Sequence, residues 1–183
     1  MGCINSSHSF FFFFLTLITL SLTTSVAQAD EASDLIKNTC EHAIYKEFCI
    51  SDLQQSKGKI ANIRDLANIT LQHALSNATY IVDYVSKLAN TTKDFNAQSC
   101  FVECSTNYEK AISLVQSSFS ALDNKDFDNV NRWLTSAMFR AELCEKAFKG
   151  QSGVQFSEIS DKAELFNHLC SNALAIADRM AGM

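Results

Sequence analysis

At 183 residues the chain is long enough for one well-buried domain and too short for two ordinary ones. It carries 15 Lys and Arg against 20 Asp and Glu, a net charge of -5, with no proline and only five glycines. The charge excludes the basic face that nucleic acid or an acidic polysaccharide would need, and the scarcity of glycine and proline starves β-turns and phosphate-cradling loops while suiting long helices.

In chain order, the first 29 residues stand apart. Phe10 to Leu22 is an apolar run broken only by threonines and one serine, and no acidic or basic side chain precedes Asp30. Ala27-Gln28-Ala29 supplies a small-x-small cleavage pattern, so residues 1–29 are expected to be a signal peptide and Asp30 the mature start. A membrane anchor is disfavoured by the short run and the cleavage pattern. N-myristoylation, whose pattern Met1-Gly2-Cys3-Ile4-Asn5-Ser6 fits, is disfavoured because an acyl signal seldom precedes such a run. Export agrees with three glycosylation sequons at Asn68, Asn77 and Asn90. On a helix, Asn68 and Asn90 point away from the apolar stripe and Asn77 lies nearer its edge.

A short segment over 30–58 holds Cys40 and Cys49. Over 59–183, four stretches then repeat apolar residues at steps of three and four, the spacing of one helical face. The first runs Ile60, Ile63, Ala67, Leu71, Ala74, Ala78, Ile81, Val85, Leu88. The second uses Phe101, Cys104, Tyr108, Ala111, Val115 and Leu122, with Ser118 as a polar intruder. The third is Phe127, Val130, Leu134, Ala137, Ala141, Cys144, Phe148, and the fourth Ile159, Ala163, Phe166, Cys170, Ala173, Ala177, Met180. The polar links Asn90 to Ser99, Asp123 to Lys125 and Gly150 to Ser157 are short, so neighbouring helices are antiparallel. Gly150 suits a helix end that needs positive φ, and Ser157 an N-cap before Glu158. The predicted fold is all-α, an up-down-up-down four-helix bundle.

Loss of Cys3 with the leader leaves six cysteines, which an oxidising compartment allows to pair. Cys104 near the start of the second helix and Cys144 near the end of the third lie side by side on facing stripes and are the first predicted bond. Cys40 and Cys49 clasp a local bend and are the second. Cys170 lies well inside the fourth helix and Cys100 at the start of the second, an offset of about 16 Å that puts them out of reach of each other. Cys170 is expected to be a free, buried apolar residue. Cys100 either competes for Cys144 or stays reduced.

No catalytic constellation occurs: Gly-x-Ser-x-Gly, His-Glu-x-x-His and phosphate loops are all missing, and His42, His73 and His168 are scattered singly. Cys100-x3-Cys104 lacks the second pair a zinc site needs, and Asp123, Asp126 and Asp128 lack the glycine and terminal glutamate of a calcium loop, so neither metal nor cofactor is expected. A protein-binding surface remains. Asn129, Trp133, Ser136, Arg140 and Leu143 flank the third stripe on one side, and Trp and Arg are the types most enriched in interface hot spots. The competing reading is that Trp133 simply packs on the bundle's edge.

Several segments carry a family likeness: Cys40 and Cys49 with eight residues between, Cys104-Ser-Thr-Asn-Tyr108, and Ala141-Glu-Leu-Cys144-Glu-Lys-Ala-Phe148. Over about Ser33 to Met180 the chain resembles the plant invertase and pectin methylesterase inhibitor family. The resemblance implies an N-terminal helical hairpin (30–58) clasped by the first bridge, ahead of a bundle (59–183) held by the second. Asp126 to Trp133, Ser136-Ala137-Met138 and Leu169 to Ile176, the last including an extra unpaired cysteine, resemble the pectin methylesterase branch. The Pro-Lys-Phe turn of the invertase branch is absent, and Lys125-Asp126-Phe127 stands in its neighbourhood. Departures are Leu143, where esterase inhibitors usually carry threonine before the cysteine, the additional Cys100, and the missing loop prolines.

What the resemblance implies is a secreted, non-enzymatic inhibitor in the apoplast or cell wall that forms a reversible 1:1 complex with pectin methylesterase across its substrate cleft. An inhibitor of acid invertase is the alternative partner reading. From other classes, an apolar-ligand carrier is disfavoured by stripes that alternate large and small residues and so fill the core. A signalling bundle would leave both enzymes active.

Overall fold

A computed structural model describes residues 30–149 and 157–182, apart from the side chain of Ser157. The expected leader over 1–29, the helix end expected at Gly150 and the Ser157 cap lie outside what is described. Helical backbone over 30–40 (α1) and Lys46–Gln54 (α2) makes a hairpin, and a 3-10 turn at Lys57–Lys59 follows. Four long helices come next, Ile63–Thr91 (α3), Phe95–Asp123 (α4), Phe127–Ala147 (α5) and Ser157–Ala181 (α6). α4 packs between α3 and α5, and α6 closes the ring against both. The architecture is therefore a helical hairpin ahead of an up-down-up-down bundle, with no strand among the described residues.

Local chemistry explains where the helices start. Asn62 Oδ1 accepts from the N–H groups of Arg64 and Asp65 at 2.9 and 3.2 Å, and Asp65 Oδ2 accepts back from the Asn62 N–H at 3.0 Å, a reciprocal cap for α3. Asp94 accepts from the N–H groups of Asn96 and Ala97 and draws the start of α4 back to Phe95. The link expected over Asn90 to Ser99 is thus only 92–94, because Asp94 supplies the cap that the apolar pattern does not reveal. Cys100 then sits more than a turn inside α4.

The corner between α4 and α5 is unusual in one residue. The N–H of Lys125 donates to Leu122 O at 3.1 Å and that of Asp126 to Ala121 O at 2.9 Å, the paired bonds of a Schellman ending. Such an ending needs a left-handed residue, and Lys125 fills the place with φ 57° where glycine is usual. Asp126 then caps α5 by accepting from the Asn129 N–H at 3.2 Å. Asp123 meets Arg64 of α3 at 3.1 Å, and the same guanidinium donates to Leu122 O and Asp123 O at the end of α4.

The four stripes meet in one core. All the second-stripe residues are buried, and so are Val130 to Phe148 of the third and Ile159 to Ala177 of the fourth; Ile63, Leu88, Phe127 and Met180 at the stripe ends are half-buried. Alanines at positions 74, 78, 111, 137, 141, 163 and 173 let the rods approach closely, and larger residues fill the layers between them. Tyr108 of α4 meets Phe166 of α6 edge-on, ring centroids 5.6 Å apart. Ser118 is tolerated at 0% exposure because its hydroxyl donates to Leu114 O at 3.1 Å. No helix among the described residues is long and apolar enough to cross a membrane.

Replacing Lys125 by glycine removes the left-handed strain without touching a core contact, and should raise unfolding stability by about 0.5–1 kcal/mol. Chemical denaturation measures it, and a lower midpoint for the variant would show that the corner is unstrained.

Candidate target-binding site

The stripe named from sequence lies on a rigid element. Asn129, Trp133, Ser136, Arg140 and Leu143 are all half-buried along α5, at helical steps that align them on one flank. That flank faces α4: one step further on, the carbonyl of Ala147 accepts from the Cys100 thiol of α4 at 3.0 Å. On the opposite flank, Asn131 borders a cavity of about 430 Å³ with Ser171, Leu174 and Arg179 of α6. The five residues therefore border the groove between α4 and α5.

Their surroundings assign them unequal parts. Asn129 is already engaged, since its side-chain amide donates to Asp126 Oδ2 at 2.6 Å while its backbone takes the cap. Trp133 packs against the core by part of its surface. Arg140, half-buried, enters no ion pair with the described residues. The pattern reading missed Phe139, 50% exposed on the outer face of the same helix. Lys146 Nζ lies 5.5 Å from its ring centroid and pairs with Glu142 at 3.6 Å, a surface cluster beside Leu143. Its sequence signal is an aromatic residue at an otherwise polar helical position, among Arg132, Glu142 and Lys146. Phe95 and Val102 stand out in the same way on α4, at 79% and 53% exposure.

The other singled-out residues do not join this surface. His73 and His168 lie where the hairpin meets the bundle, and His42 is exposed at the end of the hairpin. Asp126 caps α5 and Asp123 pairs with Arg64. Among the described residues no group of three His, Cys, Asp or Glu could hold a metal. Of the sequon asparagines, Asn90 is exposed near the end of α3 and Asn68 is half-buried. Asn77 is 9% exposed, with its amide oxygen buried and unpartnered, so the folded chain does not present it.

Disulfides join Cys40 to Cys49, Cα atoms 5.8 Å apart, and Cys104 to Cys144, Cα atoms 4.2 Å apart. Cys100 and Cys170 are free and buried. Cys100 lies opposite Ala147, one turn beyond the bridge, where its thiol is hydrogen-bonded and is pushed up first by burial, then by Glu103 and Asp94. Burial alone pushes the Cys170 thiol up strongly, and burial does the same to the unpartnered Tyr108 hydroxyl. With α4 starting at Phe95, Cys100 and Cys170 are offset by about 12 Å along the bundle, less than the spacing implied and still out of reach.

A family model described as plant invertase/pectin methylesterase inhibitor matches residues 34–176. The chain is similar to pectinesterase inhibitor 28 of Oryza sativa subsp. japonica, 26% identical over 161 residues that span 82% of this chain and 71% of that protein. It is also similar to pectinesterase inhibitor 1 of Arabidopsis thaliana, 23% identical, with 91% and 93% covered, and to the pectinesterase inhibitor of Actinidia deliciosa, 22% identical, with 97% and 96% covered. Two crystal structures share the fold: a mutant form A of a pectin methylesterase inhibitor from Arabidopsis, and a pectin methylesterase inhibitor from Arabidopsis thaliana. The first has TM-score 0.67 and 24% identity, covering 76% of this chain and 92% of its own. The second has TM-score 0.61 and 23% identity, covering 78% and 93%.

The thiol environments set an order of reactivity. In the native protein at pH 8, iodoacetamide should leave Cys170 unmodified and label Cys100 slowly, while denaturant without reductant should expose both thiols at once. Mass spectrometry of the peptides reads it out; rapid native labelling of Cys170 would contradict its placement.

Proposed function

The chain belongs to the plant invertase/pectin methylesterase inhibitor family, and we propose that it is an exported inhibitor of pectin methylesterase that covers the substrate cleft of one enzyme molecule with the α4-side flank of α5. Its relatives are named pectinesterase inhibitors, and the inhibitory role, with no chemistry of its own, follows from them. The observation that carries the choice of surface is the juxtaposition of a half-buried tryptophan and an unpaired arginine, two turns apart on a helix that a disulfide locks to its neighbour. Trp133 is already ordered by the core beneath it, and so loses little freedom on binding. Arg140 supplies directional donors, and Leu143, Ser136 and the exposed Phe139 extend the contact along the same helix.

Inhibition by such a surface is steric. A rigid convex rod seated in a cleft excludes a polymeric substrate with no covalent step, so the complex is reversible and its affinity rests on a few desolvated anchors. The net charge of -5 steers the inhibitor towards a basic enzyme surface, which raises the association rate most at low salt. Export rests on the apolar leader with its cleavage pattern, and Asn90 is the glycan acceptor that the fold leaves most accessible.

The test is titration of the purified protein into separate pectin methylesterase and acid invertase assays. Esterase activity should fall to a plateau at one equivalent, and invertase activity should be unchanged. Trp133→Ala and Arg140→Ala should each weaken inhibition by about tenfold or more, with the helical circular-dichroism spectrum retained. Full potency in both variants would remove this surface, and inhibition of invertase alone would reassign the target. Raising salt from about 20 to about 300 mM should slow association, and an unchanged rate would exclude steering.

A further inference from the structure

The seam between α2 and the bundle is lightly built. α2 buries only Cys49 and Leu53, so apolar area alone holds it weakly. Polar contacts from two different bundle helices supplement it. On one side His73 of α3 places Nδ1 3.0 and 3.1 Å from the two carboxylate oxygens of Asp52, the only ion pair between α2 and the bundle among the described residues. The pair is partly shielded, with side-chain exposures of 35% for His73 and 15% for Asp52. On the other side His168 of α6 lies against α2, its ring centroid 3.7 Å from that of Tyr45 and 5.4 Å from that of Phe48, and its Nε2 is 3.7 Å from Glu164.

We propose that the contact between His73 and Asp52 is a pH-set latch, which tightens the hairpin onto its own bundle in acid and loosens it above neutrality. The charged groups acting on His73 are Asp52 of α2 and Lys59 of the 3-10 turn, while α6 faces the hairpin through His168 and Glu164. The hydrogen bond that His73 donates to Asp52 and the charge of that carboxylate raise the His73 pKa; burial and Lys59 lower it, and the net direction is up. A group whose folded pKa lies above its unfolded value contributes stability that is complete below the unfolded pKa and is lost as pH climbs through the folded one. The latch is therefore fully engaged below the ordinary histidine range and weakens as pH climbs through the raised His73 pKa. Its loss is partial, because the neutral tautomer with a proton on Nδ1 still donates to Asp52 and gives up only the charge assistance.

Such a device works on the hairpin alone. α4 and α5 are tied by their own disulfide and no histidine lies on either helix, so the bundle should hold its protection while α2 loosens. Amide exchange in the intact, disulfide-bonded protein reads this directly, with α4 amides as an internal reference and rates corrected for intrinsic pH dependence. Between pH 5.5 and pH 8, protection over Lys46–Gln54 should fall by up to about fivefold relative to α4. In Asp52→Asn the hairpin should be less protected at pH 5.5 and show no such fall, and His73→Arg should keep its protection at pH 8. If α2 protection in the natural protein is independent of pH, or if Asp52→Asn keeps the full pH dependence, the latch does not exist. A second readout guards against a hairpin that simply comes loose in the variants. The imidazole NMR titration of His73 in the unmodified protein should have its midpoint above that of a histidine in an unstructured peptide, and a midpoint at or below that value overturns the proposal.

Discussion

The bond between Cys104 and Cys144 is the constraint on which the rest of the bundle depends. It ties α4 to α5 across a sequence separation of 40, and on chain-entropy grounds a loop of that size contributes about 4 kcal/mol by restricting the unfolded chain. Its structural effect is register. With those two Cα atoms 4.2 Å apart, the residues one turn away are matched in turn: Cys100 meets the carbonyl of Ala147, and the rings of Phe101 and Phe148 lie 5.4 Å apart. A bridge between antiparallel rods permits no slip along the axis, and this fixes which face of α5 looks towards α4.

The same register explains why an extra cysteine is harmless. Cys100 could in principle exchange with the bridge, yet it sits a turn beyond it, with its thiol on a backbone acceptor and its ionisation opposed by burial and by two carboxylates. Cys170 is isolated in the core of α6 and acts as a small apolar side chain. Among the described residues, four of the six cysteines therefore staple the fold, and two fill space in it.

The hairpin and the bundle are held by different physics. Inside the bundle, apolar stripes on four helices share one core, and most of the stability is insensitive to pH. At the hairpin, little area is buried by α2, and a histidine–carboxylate contact and tilted ring contacts with His168 carry more of the load. Buried polar atoms without partners, such as the hydroxyls of Thr39 and Tyr108 and the amide of Asn172, mark places where packing has been satisfied ahead of hydrogen bonding. Thr39 is one of them on the hairpin side, where it also lines the cavity towards α6.

Sequence alone determined the fold class, because a period near 3.6 repeated in four stretches leaves few ways to bury the stripes of a chain without proline. It also picked out the stripe from Asn129 to Leu143, since helical spacing needs no coordinates. Where pattern failed, the reason was a side chain acting on backbone: Asp94 starts α4 earlier than its apolar residues imply, and Lys125 takes a conformation that its type does not announce. Tertiary structure decided what spacing cannot carry. That Phe139 stands in solvent and Asn77 does not, and that His73 meets Asp52 from another helix, are contacts between segments distant in the chain or facts of packing. Periodicity encodes which face of a helix is apolar. Which neighbour covers that face, and how deeply, is settled only when the helices meet.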